Sequence, residues 1–548
     1  MATTKIALWI CASFVLLLAP SVSAENWRNL VQPIGALLVV EPAGTVNGRL
    51  GGIPPFDVAT DVTTIQTSTQ QYFVRFYNPN ATANASNAIG SWVMRSATVR
   101  GLTATQVRDI FALPSQPTMM TMVLVPTNSR MYTGIAGPIA GWGVGGAQQS
   151  KLVGPPFVPA GNFINQQAMG DCVLCYRVLA MEGNANHVAT YLDGHIPAAY
   201  SDLENVYTNL DLLYFGPTVM QLRQALSQIS PLRYDNLASD ALRTNVMFND
   251  MTDQRVSNLM YDGVAIELPS EQGEQKLDSA WVRLAGSSQR AGDSGFNAHT
   301  SAIFAGIDGQ ISADTRIGFS AGFIHSDLDW TGGLGGVKTD YAKLGAYAVQ
   351  LYGNGFVQGG FNAGISQGAA NRRITFSTLD RSATSSLDAW EGNARIRVGY
   401  RYSFEGVKVV PAASLDYFYQ NRDGFSEKGA DSLNLRVQST TNRTLRSHAG
   451  LTASWDSILR NAMVLTPQFQ LGWAHVRPLG ERAITASIEG QSDRFTVYGD
   501  TKTTDALTTG VGINLISGKN LLLFLRYDLE YRRDLTNQGL SAGLNYHF

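Results

Sequence analysis

Leu521, Leu523, Leu525, Tyr527, Leu529 and Tyr531 occupy alternate positions near the end of the chain, with Arg526, Asp528, Glu530 and Arg532 set between them. Side chains of a β-strand point to opposite faces with period 2, so this run has one unbroken apolar face and one charged face. The closing run, Leu540-Ser541-Ala542-Gly543-Leu544-Asn545-Tyr546-His547-Phe548, repeats the pattern, apolar at even positions and small or polar at odd ones. A soluble two-layer sandwich would not turn rows of Leu and Tyr toward water. The pattern fits a sheet with lipid outside and a polar lumen within. Backbone polar groups in lipid all need partners, so such a sheet has to close, last strand on first. Closure is expected between the strand that starts near Trp281 and the final strand carrying Tyr546 and Phe548.

Alternating segments of this kind recur from about 277 to 548. Short connections are expected at Ala313-Asp314, Gly353-Asn354-Gly355, Glu405-Gly406, 458–462 and Ser517-Gly518-Lys519-Asn520, several of them strong hairpin signals. Longer links are expected near 289–297, 329–338, 371–388, 421–431, 477–505 and 533–538. Short turns at one end and longer loops at the other are the habit of outer-membrane barrels. The links divide the region into about twelve strands, an even number, and put Phe548 at the rim that carries the short turns. Such a lumen exceeds what side chains fill in an eight-stranded barrel and leaves room for a helix. Composition agrees: only 15% of residues are charged, with 54 Gly and 10% aromatics, against roughly 25% charged in ordinary soluble domains. A formal net charge of −2 gives no electrostatic footprint for nucleic acid.

Residues 1–24 read as a secretory signal: Lys5, an apolar stretch from Ile6 to Leu18, and Val22-Ser23-Ala24 as the cleavage site. Cys11 leaves with it. Cys172 and Cys175 remain in an oxidising compartment, where a disulfide between them is expected, with free thiols and a zinc site as alternatives. His187 and His195 follow at a spacing wider than finger ligands use, and no metal site is assigned.

Ala280-Trp281-Val282-Arg283-Leu284, Ser320-Ala321-Gly322-Phe323 and Leu344-Gly345-Ala346-Tyr347 stand in order along the barrel region. Asp423-Gly424-Phe425-Ser426-Glu427, Leu471-Gly472-Trp473 and the terminal Gly543-Leu544-Asn545-Tyr546-His547-Phe548 follow. By these residues, about 277–548 resemble the translocator domain of autotransporters, the type V secretion proteins. The resemblance implies a twelve-stranded barrel that carries an N-terminal passenger to the bacterial cell surface. It also implies residence among outer-membrane lipids, assembly by the barrel assembly machinery with periplasmic chaperones, and a helix threading the pore. Pro217 to Gly263 reads helical: Leu222, Leu226 and Ile229 keep the spacing, and Ser230-Pro231 breaks and restarts it. Leu237, Leu242, Val246, Val256 and Leu259 follow, with Asn245, Asn249, Asp250 and Asp253 interleaved. A polar-rich helix suits a wet lumen, though it would equally suit a helical passenger packed on itself; the pore helix is placed within about 235–262. Residues 180–232 read as a helical stem.

The chain is therefore expected to be mainly β. A C-terminal 12-stranded antiparallel transmembrane β-barrel (277–548) is preceded by a helical stem and pore-threading linker (179–276), a small α+β passenger domain (25–178) and the signal peptide (1–24). The passenger shows no solenoid repeat. It offers strands at Tyr72–Tyr77 and Thr121–Val125 and a helix at Thr103–Phe111, stopped by Pro114 and Pro117. Val74-Arg75-Phe76-Tyr77, Leu102-Thr103-Ala104-Thr105-Gln106-Val107-Arg108-Asp109, Ala112-Leu113-Pro114-Ser115-Gln116-Pro117-Thr118 and Trp142-Gly143-Val144-Gly145-Gly146-Ala147-Gln148 resemble parts of ADP-ribosyltransferase or NAD-glycohydrolase toxin modules. That likeness implies Arg75 on NAD phosphates, a role that suits a bidentate guanidinium, and Gln148 on the nicotinamide ribose. The usual acidic partner is absent, since Gln149, Ser150 and Lys151 follow. Gly292-Asp293-Ser294-Gly295 matches a serine-protease nucleophile motif but falls in a barrel loop, and Cys172 or Cys175 with His195 would make a nucleophile pair only if not oxidised. No catalytic residue and no cofactor is assigned. The passenger reads as an interaction module for an unidentified extracellular ligand. Alternatives are an NAD-using toxin-like enzyme, or an outer-membrane channel with a periplasmic N-terminal domain.

Overall fold

The computed structural model describes residues 35–155, 157–199, 201–261, 276–292, 295–459, 463–518 and 520–548. The signal-peptide reading, and Asp293 and Ser294 of the protease-like motif, fall outside them. The chain forms two compact units, Met1–Thr98 with Thr105–Ala168, and Val99–Ala104 with Met169–Phe548.

The N-terminal unit is built on two antiparallel sheets. One orders Gly35–Pro42, Asp61–Thr67, Arg130–Ile135, Gln148–Val153 and Trp92–Val93; the other orders Gln71–Tyr77, Met119–Val125 and Phe163–Ala168. Its centre includes Ala43, Val46, Phe56 and Val62, which pack as one buried cluster. Met119–Val125 is apolar at every position but Thr121 and is buried on both faces, the pattern of a strand covered on each side.

In the C-terminal unit the strands are β1 (Lys276–Ala291), β2 (Phe296–Ser312), β3 (Thr315–Trp330), β4 (Gly335–Tyr352), β5 (Gly355–Phe376) and β6 (Leu379–Tyr400). They continue as β7 (Val407–Arg422), β8 (Thr440–Trp455), β9 (Val464–Pro478), β10 (Thr504–Ser517), β11 (Leu521–Tyr531) and β12 (Leu535–His547). Each pairs antiparallel with its neighbours, and β12 pairs with β1 from Leu535↔Ala291 to His547↔Ser279, so the sheet closes as a twelve-stranded barrel. The Phe548 amide donates to Asp278 O at 3.0 Å and extends the seam by one bond. Backbone register makes the closure, not a meeting of side chains. Trp281 lies opposite Asn545 and points inward, almost fully buried, whereas Tyr546 and Phe548 are exposed.

Alternation sorts the barrel's two faces. Leu284, Phe319, Leu344, Ile365, Leu415, Leu471 and Leu525 are exposed on the outer wall, while Arg283, Asp308, Lys343, Asn393 and Asn545 are buried in the lumen. Short turns occupy the expected places, with Gly353 and Gly406 at φ +59° and +88°, where a side chain would be strained.

The expected link at 371–388 is instead strand, and the longer links expected near 289–297, 329–338 and 533–538 shrink to the three or four residues that separate β1 from β2, β3 from β4 and β11 from β12. β5 and β6 run 22 residues each and meet at Ser377 and Thr378. About ten residues suffice to cross the bilayer, so this hairpin projects well beyond it. Among the described residues, a short helix at Tyr176–Ala180 is followed by four longer ones that precede the barrel, α1 (Asn184–Asp193), α2 (Asp202–Tyr214), α3 (Val219–Ile229) and α4 (Asn236–Tyr261). Of these, α1, α2 and α3 pack against the hairpin and against a small sheet of Phe425–Ser426, Leu435–Val437, Ala483–Ile488 and Phe495–Tyr498, which the long links supply. Ser201 caps α2 through the Glu204 amide at 3.2 Å. Arg381 pairs with Asp202 at 2.5 Å, and the Thr378 amide donates to Asn209 Oδ1 at 3.0 Å.

Candidate functional site

The lumen is occupied by α4, whose polar side chains bond to strands of the surrounding wall. Asp240 accepts from Ser326 Oγ at 2.6 Å and from the Tyr341 hydroxyl at 2.7 Å. Farther along, Asn249 Nδ2 donates to Asn393 Oδ1 and Asp416 Oδ1, both at 2.9 Å, and Asn249 Oδ1 accepts from Asn362 Nδ2 at 3.0 Å. Asp253 accepts from Arg395 Nη2 at 2.5 Å and Gln358 Nε2 at 3.0 Å. Arg255 forks onto Asp308 at 2.8 and 2.9 Å and reaches Ser279 Oγ at 2.6 Å. Asn258 Oδ1 accepts from Asn514 Nδ2 at 3.0 Å. These partners sit on β1 to β7 and on β10, so the helix is enclosed by the wall.

Apolar contacts fix its height. Phe248 meets Phe304 edge-on, ring centroids 5.7 Å apart. It sits where Gly345 has no side chain: a Cβ there would lie 2.7 Å from the Phe248 ring. Gly306 similarly leaves room for the Trp281 ring, whose Nε1 donates to the Tyr347 hydroxyl at 3.2 Å.

The direction of α4 follows from its partners. Ser326 and Tyr341 lie toward the β3–β4 link, at the end from which the long hairpin projects. Asp308 and Ser279 lie toward the 313–314 turn and the His547 end of β12. The helix thus enters at the hairpin end and runs to the short-turn end. Just above it, Tyr234 packs edge-on against Trp330 and Phe425, and its hydroxyl donates to Glu427 at 2.7 Å. Arg372 forks onto the same Glu427 at 2.7 and 2.6 Å. The stretch Asp423 to Glu427 therefore seats the chain where it enters the pore.

α4 does not fill the lumen. A polar cleft of about 110 Å³ runs beside it, lined by Arg243, Asp250, Arg395, Arg446, His448 and Glu530 among others. These charges face one another across water-sized space. The site holds a helix, and on the cleft wall His448 Nε2 lies 3.0 Å from Thr508 Oγ1.

Other residues singled out from sequence lie elsewhere. Cys172 and Cys175 are joined as a disulfide, Cα atoms 5.6 Å apart. His195 Nε2 is 3.3 Å from Asp493, and the His187 ring packs on Tyr498, so neither meets the cysteines. Among the described residues no group of three or more His, Cys, Asp and Glu is placed to hold a metal ion. Arg75 and Gln148 lie on different sheets. The Arg75 guanidinium is nearly buried and donates to Asn87 O at 3.0 Å and Trp92 O at 3.1 Å; burial lowers its pKa from the ordinary value. Sequence reasoning did not single out Arg255, Asp308, Asn362, Asn393 or Asp416 as partners. For the four strand residues the only signal was polarity on the inward face of alternating strands, and for Arg255 it was polarity within the helix α4.

Residues 280–528 match the autotransporter β-domain family. Over 336 residues, 60% of this chain and 31% of the relative, the sequence is 23% identical to an extracellular serine protease of Serratia marcescens. It is 22% identical to outer membrane protein B of Rickettsia typhi over 50% of this chain and 18% of that one. The chain thus spans less than a third of the length of these curated relatives. Among solved structures, the translocator domain of the autotransporter NalP from Neisseria meningitidis aligns with 57% of this chain and 99% of its own, at 19% identity and a TM-score of 0.44.

Proposed function

We propose that this chain, an autotransporter of the bacterial outer membrane by its barrel and family match, displays residues 25–178 at the cell surface as an interaction module. The direction of α4 carries the reading. Its N-terminal end lies at the hairpin rim and its C-terminal end at the short-turn rim. Short turns face the periplasm in such barrels, so the chain before residue 236 emerges outside. Residues 1–24 serve as the export signal, and periplasmic chaperones and the barrel assembly machinery deliver the barrel to the membrane.

The barrel's work is physical. Closure satisfies every backbone group in lipid, and the polar lumen replaces water around the threading segment with fixed hydrogen bonds. No catalytic group is needed for that task. Arg75 Nε and Nη1 donate to the backbone carbonyls of Asn87 and Trp92, which favours a structural role for this side chain over an NAD-binding one.

Protease shaving of intact cells tests display. An epitope in the N-terminal unit is expected to disappear while the barrel survives. Complete protection of that epitope would instead establish a channel with a periplasmic N-terminal domain.

A further inference from the structure

We infer that the outer wall of the barrel carries a seat for the sugar headgroup of an outer-leaflet glycolipid, in a trough that crosses β3 to β6 just above the lipid. The inference rests on the sidedness proposed above, which puts the hairpin rim outside the cell; its test does not.

The strand register sets the height. Outward-facing side chains line up in rows across β3, β4, β5 and β6, and one row is Phe323, Ala342, Ile365 and Trp390. All four are exposed. Trp390 also packs on Tyr419, ring centroids 4.9 Å apart, and aromatic girdles mark where lipid meets water on a barrel. The apolar face stops there. The next row toward the hairpin is His325, Asp340, Gln367 and Asp388, and the second is Asp327, Lys338, Ala369 and Ser386. The third is Asp329, Gly336, Asn371 and Thr384, continued by Lys428, whose backbone pairs with Thr384. A strand rises about 3.3 Å per residue, so the second and third rows stand roughly 13 to 20 Å along the strands from the Trp390 row.

Those two rows line a trough of about 850 Å³. Its floor is low because Gly336, Ala369 and Ser386 are small. The charged groups that line it are Asp327, Asp329, Lys338 and Lys428, two of each sign, and Asp327 already pairs with Lys338 at 3.3 Å. A trough without net charge favours neither a phosphate nor a metal ion. What it offers is hydrogen bonding: Asn371, Thr384, Ser386 and Ser426 present donors and acceptors close together, the complement of a sugar's neighbouring hydroxyls. The occupant comes from the membrane itself, because the trough continues the lipid-facing wall. A lipid whose headgroup is a saccharide places neutral hydroxyls at that distance from its acyl chains.

The test uses the full chain in nanodiscs of phospholipid with or without lipopolysaccharide, the same in both leaflets, so the outcome does not depend on which rim faces outward. Thr384→Cys puts one thiol in the trough, since the two native cysteines that follow the expected signal are joined to each other. Thr441→Cys puts one at the hairpin rim of β8, where Thr441 is exposed outside the trough. Lipopolysaccharide is expected to slow labelling of Thr384→Cys by a water-soluble maleimide severalfold and to leave Thr441→Cys unchanged. No slowing at Thr384→Cys, or equal slowing at both, would overturn the inference. Dephosphorylated lipopolysaccharide is expected to protect as well; loss of protection would mean that phosphate is held, and would overturn the sugar as ligand. Ala369→Trp fills the floor from an exposed position and is expected to restore fast labelling. Protection that survives it would place the headgroup outside the trough. A negative result in nanodiscs overturns the seat alone, whereas a wrong sidedness shows only on intact cells.

Discussion

Arg75 illustrates how one side chain separates a structural role from a ligand-binding one. Its guanidinium fills the space above Gly90, where a Cβ would lie 2.3 Å from it, and it ties down the backbone at Asn87 and Trp92. Arg75→Ala strands those carbonyls in a nearly buried site. The expected cost is about 1–3 kcal/mol, read as a lower urea midpoint for the N-terminal unit, with NAD turnover at background in both chains. Asp202 gives the corresponding pH effect. Hydrogen bonds from Arg381 hold its carboxyl down at about 2, below the ordinary 3.8. Because the folded value is the depressed one, its link between α2 and the hairpin is intact above about pH 4 and is lost as pH falls toward 2. The carboxylate is partly exposed, so screening makes this effect modest. An acid protease is expected to cut α2 faster as pH drops through that window, and Asp202→Asn is expected to cut at a rate that varies little there. None of these partnerships was legible in sequence, since Arg75 meets residues 12 and 17 positions away and Asp202 meets one 179 away. Periodicity reports which face a residue occupies; it carries nothing about which distant residue shares that face.

Among the elements, the barrel strands were the most legible and the β5–β6 hairpin the least. Within lipid, one face must be apolar, so period 2 stands out. Beyond lipid that constraint lapses, and Asn371 to Asp388 read as a loop because both faces carry polar residues. The strand signal was present in Ile374, Phe376, Leu379, Ala383 and Leu387, all buried on one face, but Arg372 breaks the row. α4 was visible for a different reason: its apolar spacing was helical while Asn249 and Asp253 fell among it, and the lumen pairs with them. Its seat was not visible, because a glycine's meaning depends on what fills the gap. Gly345→Val would drive a side chain into the Phe248 ring, which is held against Phe304 and has little freedom to move. The expected result is a loosened plug. In planar bilayers, single-barrel conductance should rise severalfold above the small leak that the cleft beside α4 allows, and deletion of residues 236–261 should raise it further. Equal conductance in all three chains would mean that the helix does not control the pore.

At the scale of the whole molecule, orientation ties the evidence together. The final strand identified a closed barrel from alternation alone, and the pattern of short and long links placed Phe548 at one rim; the structure adds that α4 crosses the lumen from the opposite rim. Both arguments predict the same sidedness, and both are exposed to one experiment. Ser377 lies at the tip of the projecting hairpin and Glu405 in a short turn at the other end; both are exposed. Single Ser377→Cys and Glu405→Cys chains differ only in which rim carries the thiol, since the two native cysteines that follow the expected signal are joined to each other. A maleimide on a polymer too bulky to pass the outer membrane is expected to label Ser377→Cys on intact cells within minutes. Glu405→Cys should label only after the membrane is opened. The reverse pattern would place the helices and the N-terminal unit in the periplasm, because α4 enters at the hairpin rim and the chain before it cannot leave by the other.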